Sequence, residues 1–250
     1  MDNLKDRERT IVRLLAEDPL LTVNDLSEEL GVSVVTARSD MTTLAEKGYL
    51  VRIRGGALPA FHPEIIARQQ AHIEEKRRIA KAAADLVGDG DSIMIESGTT
   101  TALIARFLLG KKDLKLVSDS TLILPYVRAN PMISLAFVGG IFRPATESMV
   151  GPVTIAELSQ FHVDIAFIGS DGVSVEHGLT TNFVEAAEVS RTMARHCEKT
   201  VLTVDSSKFG KRGFTQVMPL DEVDILITDG GITEDMRAQV EACGVTVVVV

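Results

Sequence analysis

Before residue 50 the apolar positions recur three times at helical spacing. Residues 4–17 set Ile11, Val12, Leu14 and Leu15 on one side and charges on the other, until Asp18-Pro19 ends the run. Residues 23–30 form a second, short helix with Thr22 or Asn24 as its cap. Gly31-Val32-Ser33 then turns the chain, and Gly31 suits the left-handed position after a helix. Ser33 caps a third helix over 34–47, with an inward face predicted at Val35, Met41 or Thr42, and Leu44-Ala45. Gly48 closes it, and residues 49–54 alternate as a strand should before Gly55-Gly56.

Three short helices and a small hairpin make a winged helix-turn-helix, whose third helix enters a DNA major groove. Ser33, Thr36, Arg38 and Ser39 near the start of that helix are placed to face bases and phosphates. Arg52 and Arg54 on the wing are placed to reach the backbone or the minor groove. A helical dimerisation module with solvated charges fits the same pattern. Charge favours the DNA reader: Asp25, Glu28 and Glu29 fall on the second helix, and basic residues gather on the third helix and wing.

Residues 57–63, with Pro59 and Pro63, read as a linker. A helical pattern returns over 64–87, and its charged run Glu74-Glu75-Lys76-Arg77-Arg78 reads as a solvated face. Beyond Gly88-Asp89-Gly90-Asp91, apolar strands alternate with amphipathic helices. Strands are predicted at 92–95, 114–117, 133–138, 164–169, 200–204, 223–228 and 245–250. Helices are predicted at 101–109, 121–129, 152–161, 185–196 and 233–243. Such alternation builds a mostly parallel sheet covered on both faces, with ligands bound where strands end. Four polar clusters fall at those ends: 96–101, 118–120, 170–172 and 205–208.

The first cluster carries the sharpest chemistry. Ser97-Gly98-Thr99-Thr100-Thr101 joins a buried strand to a helix, so free amides, the helix dipole and three hydroxyls offer an anion site. A threonine that merely caps the helix accounts for the same residues.

Composition narrows the classes. The 250 residues are 45% hydrophobic and 24% charged, an ordinary globular balance. Lys+Arg 26 against Asp+Glu 35 gives a formal charge of -9, which argues against a nucleic-acid coat but allows a local reader. With no apolar leader and no apolar run of about 20 residues, a cytoplasmic protein without membrane contact is expected. Cys197 and Cys243 lack metal spacing and read as buried free thiols. The five histidines form no metal motif, so neither metal nor cofactor is assigned.

Residues 32–41, Val-Ser-Val-Val-Thr-Ala-Arg-Ser-Asp-Met, followed by Leu44, Gly48, Arg52 and Gly55-Gly56-Ala57, resemble the N-terminal signature of the DeoR family of bacterial transcriptional regulators. That signature reads V-S-x-x-T-[IV]-R-R-D-L, then L-x-x-x-G and R-x-H-G-G-A. Thr36, Arg38 and Asp40 match, whereas Ser39 and Arg54 stand where arginine and histidine are usual, and Ala37 and Met41 are milder departures. The later segments 96–100, Gly139-Gly140 with Arg143, 164–169, 178–180, 188–191 and 205–210 resemble the family's effector domain. Departures there are Glu96 for the usual Asp, and Ser118-Asp119-Ser120 where Thr-Asn-Ser is common.

The resemblance implies an α/β chain: a winged helix-turn-helix joined to a sensor similar to ribose-5-phosphate isomerases and CoA transferases. Its expected domains are 1–57 for DNA, 58–72 as linker and 73–250 for the effector. The expected function is a repressor that binds a double-stranded operator under control of a phosphorylated sugar. Gly98, Thr99, Thr100 and Thr101 would hold the phosphate, with Arg143 and Lys208 supplying positive charge. Asp119, Asp171 and Glu185 would meet sugar hydroxyls, and Glu96, Ser120, Gly139 and Gly140 complete the expected set. Paired half-sites make a homo-oligomer the expected assembly. The rival is a sugar-phosphate isomerase in which Asp171 or Glu185 moves a proton and Lys208 stabilises an enediolate. An isomerase has no use for the N-terminal segment.

Overall fold

The computed structural model describes residues 5–53 and 56–250. The chain divides into two compact units, one running to Ala71 and including Pro144–Thr146, the other made of His72–Arg143 with Glu147–Val250. In the first, α1 (Asp6–Glu17), α2 (Val23–Glu29) and α3 (Val34–Glu46) precede an antiparallel hairpin of β1 (Leu50–Ile53) and β2 (Gly56–Pro59); α4 (Pro63–Gln70) follows. Ile11, Val12, Leu15, Leu26, Met41, Leu44, Leu50, Ala57 and Ile66 form its core. Thr22, rather than Asn24, caps α2 in a reciprocal pair with Asp25, and Ser33 caps α3 by accepting from the Thr36 amide at 3.1 Å.

Four expectations are corrected here. Val35 is 78% exposed, and the inward face of α3 is Ala37, Met41 and Leu44, which stand four and three residues apart as one helical stripe requires. The expected linker is structured: α4 starts with Pro63 at its first turn after the His62 cap and puts Ile66 into the core. The single helix expected over 64–87 is two helices, α4 and α5 (Ile73–Asp85). Ala71 is extended and His72 is left-handed at φ 52°, which ends one helix and starts the next. Within α5, Lys76 is only 4% exposed, so the charged run is not a uniformly solvated face.

The second unit alternates as predicted. After α5 come β3 (Ser92–Ile95), α6 (Thr101–Phe107), β4 (Leu114–Ser118), α7 (Leu124–Arg128), β5 (Ile133–Phe137), β6 (Ile141–Arg143), β7 (Ser148–Val150) and α8 (Pro152–Leu158). Then follow β8 (Val163–Ile168), β9 (Gly172–Ser174), β10 (Gly178–Thr181), α9 (Val184–Arg195), β11 (Cys197–Thr203), β12 (Thr215–Met218), β13 (Ile225–Thr228), α10 (Glu234–Ala242) and β14 (Thr246–Val249). Seven strands form one parallel sheet in the order β14-β13-β11-β8-β3-β4-β5. Met94 and Ala166 pack with Leu158, Val189 and Met193 of α8 and α9. Their alternating neighbours Ile95 and Phe167 turn to the opposite face and are fully buried as well, so both faces are covered.

The order sets the position of any ligand crevice. From β3 the chain first moves outward to β4 and β5, then returns to β8 on the other side of β3 and continues to β11, β13 and β14. The crevice at such a reversal lies beyond the carboxyl ends of the two central strands, here β3 and β8. Two small antiparallel sheets sit among the loops, β6-β7 and β12-β10-β9. Cys197 and Cys243 are free thiols, each partly rather than fully buried.

Candidate functional site

The first unit presents α3 beside the wing. Arg38, Ser39 and Arg52 are exposed; Thr36 is half-buried, and Ser33 is exposed although its hydroxyl is engaged with Thr36 at 2.8 Å. Arg52 donates to the Thr42 hydroxyl at 3.0 Å, which ties the wing to α3. Arg54 lies outside the described residues. Two ion pairs fasten α3 to α1. Arg7 donates to both oxygens of Asp40 at 2.6 and 3.1 Å, and Lys47 to both oxygens of Glu8 at 2.9 and 3.0 Å. Burial alone raises the Glu8 carboxyl, but the Lys47 and Lys5 contacts outweigh it and hold the group below its usual range. Asp40 is therefore a positioning residue for α3. The first turn of α3 also exposes Val34 and Val35, whereas the sequence reading sets Val35 inward.

In the second unit, the carboxyl ends of five adjacent strands carry residues expected at the site. Lys208 follows β11, Asp171 follows β8, Glu96 to Thr101 follow β3, Asp119 and Ser120 follow β4, and Gly139 and Gly140 follow β5. Glu96, 6% exposed, spans the reversal point: it accepts from the Gly169 amide at 2.7 Å and from the Ser190 hydroxyl of α9. Asp119, 1% exposed, accepts from the Ser97 amide at 2.8 Å through Oδ1, while its Oδ2 has no hydrogen-bond partner among the described residues. The buried Ser120 Oγ has none either.

Burial dominates the electrostatics of this pair. Desolvation pushes Glu96 up to about 8, with the Asp119 charge adding to it and the Ser190 bond opposing. Asp119 is pushed up to about 7, again by burial, against the pull of its Ser97 bonds. Neither carboxyl makes an ion pair among the described residues. Strongly raised carboxyls in a crevice at a strand reversal mark a candidate binding site.

Several expected residues have partners that define narrower roles. Asp171 Oδ2 accepts from the Thr181 hydroxyl, the Asn182 amide and the Asn182 side chain at 3.0, 3.0 and 3.2 Å, fixing the approach to α9. Arg143 pairs with Glu185 at 2.8 Å and stacks over Phe183, so each offsets the other's charge. Asp205 does not pair with Lys208: it accepts from the amide and hydroxyl of Ser207, and Lys208 makes no ion pair among the described residues. Gly139 donates to Glu157 at 2.6 Å and accepts from Thr154 at 2.7 Å, both on α8. At Gly140, φ is +141° and a Cβ would come within 2.0 Å of Thr154 Oγ1. These glycines serve close packing onto α8.

The turn after β3 is compact. Thr101, fully buried, donates back to the Gly98 carbonyl at 3.1 Å, and a Cβ on Gly98 would lie 2.7 Å from Thr101 Oγ1. Thr100 stands at the cap of α6 without a capping side-chain bond. The capping alternative thus does not account for Thr100. Sequence reasoning named Ser97 and Ser190 only as parts of motifs, with no role of their own, and missed Asp229; the three hold the rim together, and Asp229 accepts from the amide and hydroxyl of Ser206 at 2.6 and 2.8 Å. Their signal was faint, since one serine on a helix is unremarkable until the fold sets it beside a buried carboxyl.

Comparison with known proteins adds independent findings. The DeoR-like helix-turn-helix domain matches residues 7–60, and the DeoR C terminal sensor domain matches residues 71–230. The chain is similar to the HTH-type transcriptional regulator GlpR of Haloferax volcanii, 32% identical across 97% of this chain and 96% of that one. It is similar to the HTH-type transcriptional repressor GlcR of Bacillus subtilis, 33% identical across 90% and 88%. It is also similar to the lactose phosphotransferase system repressor of Streptococcus mutans, 32% identical across 90% and 92%. Among solved structures, ribose 5-phosphate isomerase A of Methanocaldococcus jannaschii aligns with a TM-score of 0.40 and 24% identity, over 56% of this chain and 55% of that one.

Proposed function

This chain belongs to the DeoR family of transcriptional regulators, and we propose that it is a repressor whose operator affinity is set by a phosphorylated sugar. The observation that carries the proposal is one juxtaposition: polar loops from five adjacent parallel strands gather at a strand reversal, on a chain that also bears a winged helix-turn-helix. Relatives named as repressors of GlcR type and of a lactose phosphotransferase system support a sugar-linked role.

Residues 1–57 would read DNA and 73–250 would sense the effector, while 58–72 would join them as part of the first unit's fold. On α3, Ser33, Thr36, Arg38 and Ser39 would face the major groove, with Val35 exposed to meet a thymine methyl; Arg52 and Arg54 would serve the wing. In the sensor, the amides and hydroxyls of Gly98, Thr99 and Thr100 would take the phosphate, and Lys208 would supply charge. Glu96, Asp119 and Ser120 would face the sugar. Thr101 and Gly139-Gly140 would shape the loops, and Asp171, Arg143 and Glu185 would brace the entrance to α9. A homo-oligomer in the cytoplasm would engage paired half-sites; among the described residues no helix is long and apolar enough to cross a membrane. The isomerase alternative is not favoured, because the relatives are regulators and Asp171 is already committed to three donors.

The test is fluorescence anisotropy of the full chain on DNA from upstream of its own gene, with and without hexose and pentose phosphates. Affinity that changes with a sugar phosphate, and not with the free sugar, supports the reading. DNA binding indifferent to all of them counts against it.

A further inference from the structure

The charge inventory of the rim does not suit a purely anionic ligand. Glu96, Asp119, Asp171, Asp205 and Asp229 all follow parallel strands, whereas Arg143, the cation expected near the sugar, is paired with Glu185. Four of the carboxyls have donors from the chain on them: Gly169 and Ser190 on Glu96, Thr181 and Asn182 on Asp171, Ser207 on Asp205, Ser206 and Gly231 on Asp229. Asp119 is the exception in having a buried oxygen with no donor among the described residues: one oxygen is held by the Ser97 amide, and the other, on a side chain 1% exposed, has none.

The position of Asp119 makes the exception informative. It follows β4, next to β3, and its own carbonyl accepts from the Met149 amide of β7 at 2.9 Å. Side chain and backbone thus lock it between the β3 loop and the β6-β7 hairpin, beside the phosphate loop proposed above. A carboxylate accepts hydrogen bonds and donates none, so a group that answers it must carry N–H or O–H. A buried carboxylate without a counter-ion is costly, and a cationic donor relieves that cost where a neutral hydroxyl relieves less. Glu96 does not fill that role, since both its oxygens are occupied, by the Gly169 amide and the Ser190 hydroxyl.

We propose that Asp119 selects an amino group on the sugar, so that the effector is a phosphorylated amino sugar with a free ammonium rather than a neutral sugar phosphate. This rests on the sugar-phosphate reading and sharpens it. The geometry has an electrostatic counterpart: burial without a cationic partner raises both Glu96 and Asp119, and an ammonium on the ligand would favour the ionised form of Asp119.

The experiment is calorimetric titration of the full chain with three probes: glucosamine 6-phosphate, glucose 6-phosphate and N-acetylglucosamine 6-phosphate, with the galacto series in parallel. Wild type should prefer the free amine over both neutral compounds in at least one series by about tenfold or more, the scale of one charge-assisted hydrogen bond. Asp119→Asn, which keeps the Ser97 acceptor but removes the charge, should reduce that preference to within about twofold. Equal binding of amine and neutral compounds to wild type overturns the inference and leaves the sugar-phosphate reading standing. A preference that survives Asp119→Asn overturns the assignment to Asp119. If no sugar phosphate of either series binds, the inference is overturned together with the reading beneath it. Should the variant fail to fold by circular dichroism, the wild-type comparison of free amine with N-acetyl compound decides alone.

Discussion

The Lys47 ammonium lies 2.9 and 3.0 Å from the two carboxylate oxygens of Glu8, joining the C-terminal end of α3 to the first turn of α1. Glu8 is 4% exposed while Lys47 keeps about a third of its side chain in solvent, so the pair is half-screened and the carboxylate bears the burial. Lys47→Ala should destabilise the first unit by about 1–2 kcal/mol, because it leaves a buried acceptor short of its charged donor. The Glu8 carboxyl sits below its ordinary 4.5 in the folded chain, so its contribution is present above that value. It is lost as pH falls through the folded value. Thermal melts of residues 1–71 within the full chain, followed by a local probe, should show the variant's deficit at pH 7 shrinking below pH 4.5. An unchanged melt at pH 7 would show that the pair contributes nothing.

The contrast between the two units shows what the sequence could convey. The seven parallel strands were legible because each is a short apolar run bounded by glycine or polar residues, a pattern set by burial on both faces. The small sheet β12-β10-β9 was not, since its three- and four-residue strands owe their pairing to tertiary contacts. Gly178 shows this: at φ +63°, a Cβ there would come within 2.2 Å of the Met218 carbonyl, a constraint from a residue forty positions away. Local pattern also misled at Val35. A valine beside an apolar run reads as core, yet helical phase is fixed by Ala37, Met41 and Leu44, and Val35 falls outside it. At the sensor site, the residue types and strand ends were readable, but their division of labour was not. Whether Arg143 meets a phosphate or Glu185 depends on how the β6-β7 hairpin lies against α9.

On the DNA face, Arg38→Ala should weaken operator binding and leave the fold intact, since Arg38 is exposed while its neighbour Ala37 fills the core. A lost bidentate base contact costs about 1–3 kcal/mol at one base position, and a lost phosphate contact lowers affinity across all sequences and flattens the salt slope by about one. Val35→Ala should show a different signature, a smaller loss confined to sites with thymine at one position. Binding measured on a panel of single-base operator variants separates the two. If both variants bind every DNA like wild type, α3 is not the reading helix.

The sensor should become more stable as the solution is acidified from alkaline pH towards about 5. Glu96 and Asp119 have folded values raised to about 8 and about 7, so between the unfolded carboxyl range and those values the folded state holds more protons. Stability therefore falls as pH rises through that window, opposite in sign to Glu8. Asp119→Asn removes one titrating group and relieves Glu96 of a like charge. It should raise the ligand-free melting temperature at pH 8 by a few degrees and flatten the profile. Melting from pH 5 to 8.5 tests this, and a wild-type profile that rises with pH refutes it.

Purified protein should turn over no pentose or hexose phosphate. A base that abstracts a proton needs a free, directed oxygen, and Asp171 Oδ2 is occupied by three donors that hold the Thr181-Asn182 turn. Asp171→Asn should instead loosen that turn and lower the melting temperature. Isomerisation followed by proton exchange into the sugar, and abolished by Asp171→Asn, would establish an enzyme.

Thr99 should be required for the response of DNA binding to effector. The residue is half-buried in the turn after β3, two positions before α6, and flanks Gly98, where a side chain would strike Thr101. A tyrosine there would add bulk where a phosphate is proposed to meet the loop amides. Charge-assisted bonds to a phosphate cannot be replaced by a neutral hydroxyl, so the free sugar should bind far more weakly than its phosphate. Coupling between two sites is typically about 1–3 kcal/mol, enough to change operator affinity roughly 5- to 150-fold. A rigid helix over 64–87 does not transmit it, because the chain is extended at Ala71 and left-handed at His72. Thr99→Tyr should bind the operator as tightly as ligand-free wild type and ignore saturating sugar phosphate. Operator affinity with and without that ligand, for wild type and variant, is the measurement. A variant that responds like wild type would place the effector away from this loop.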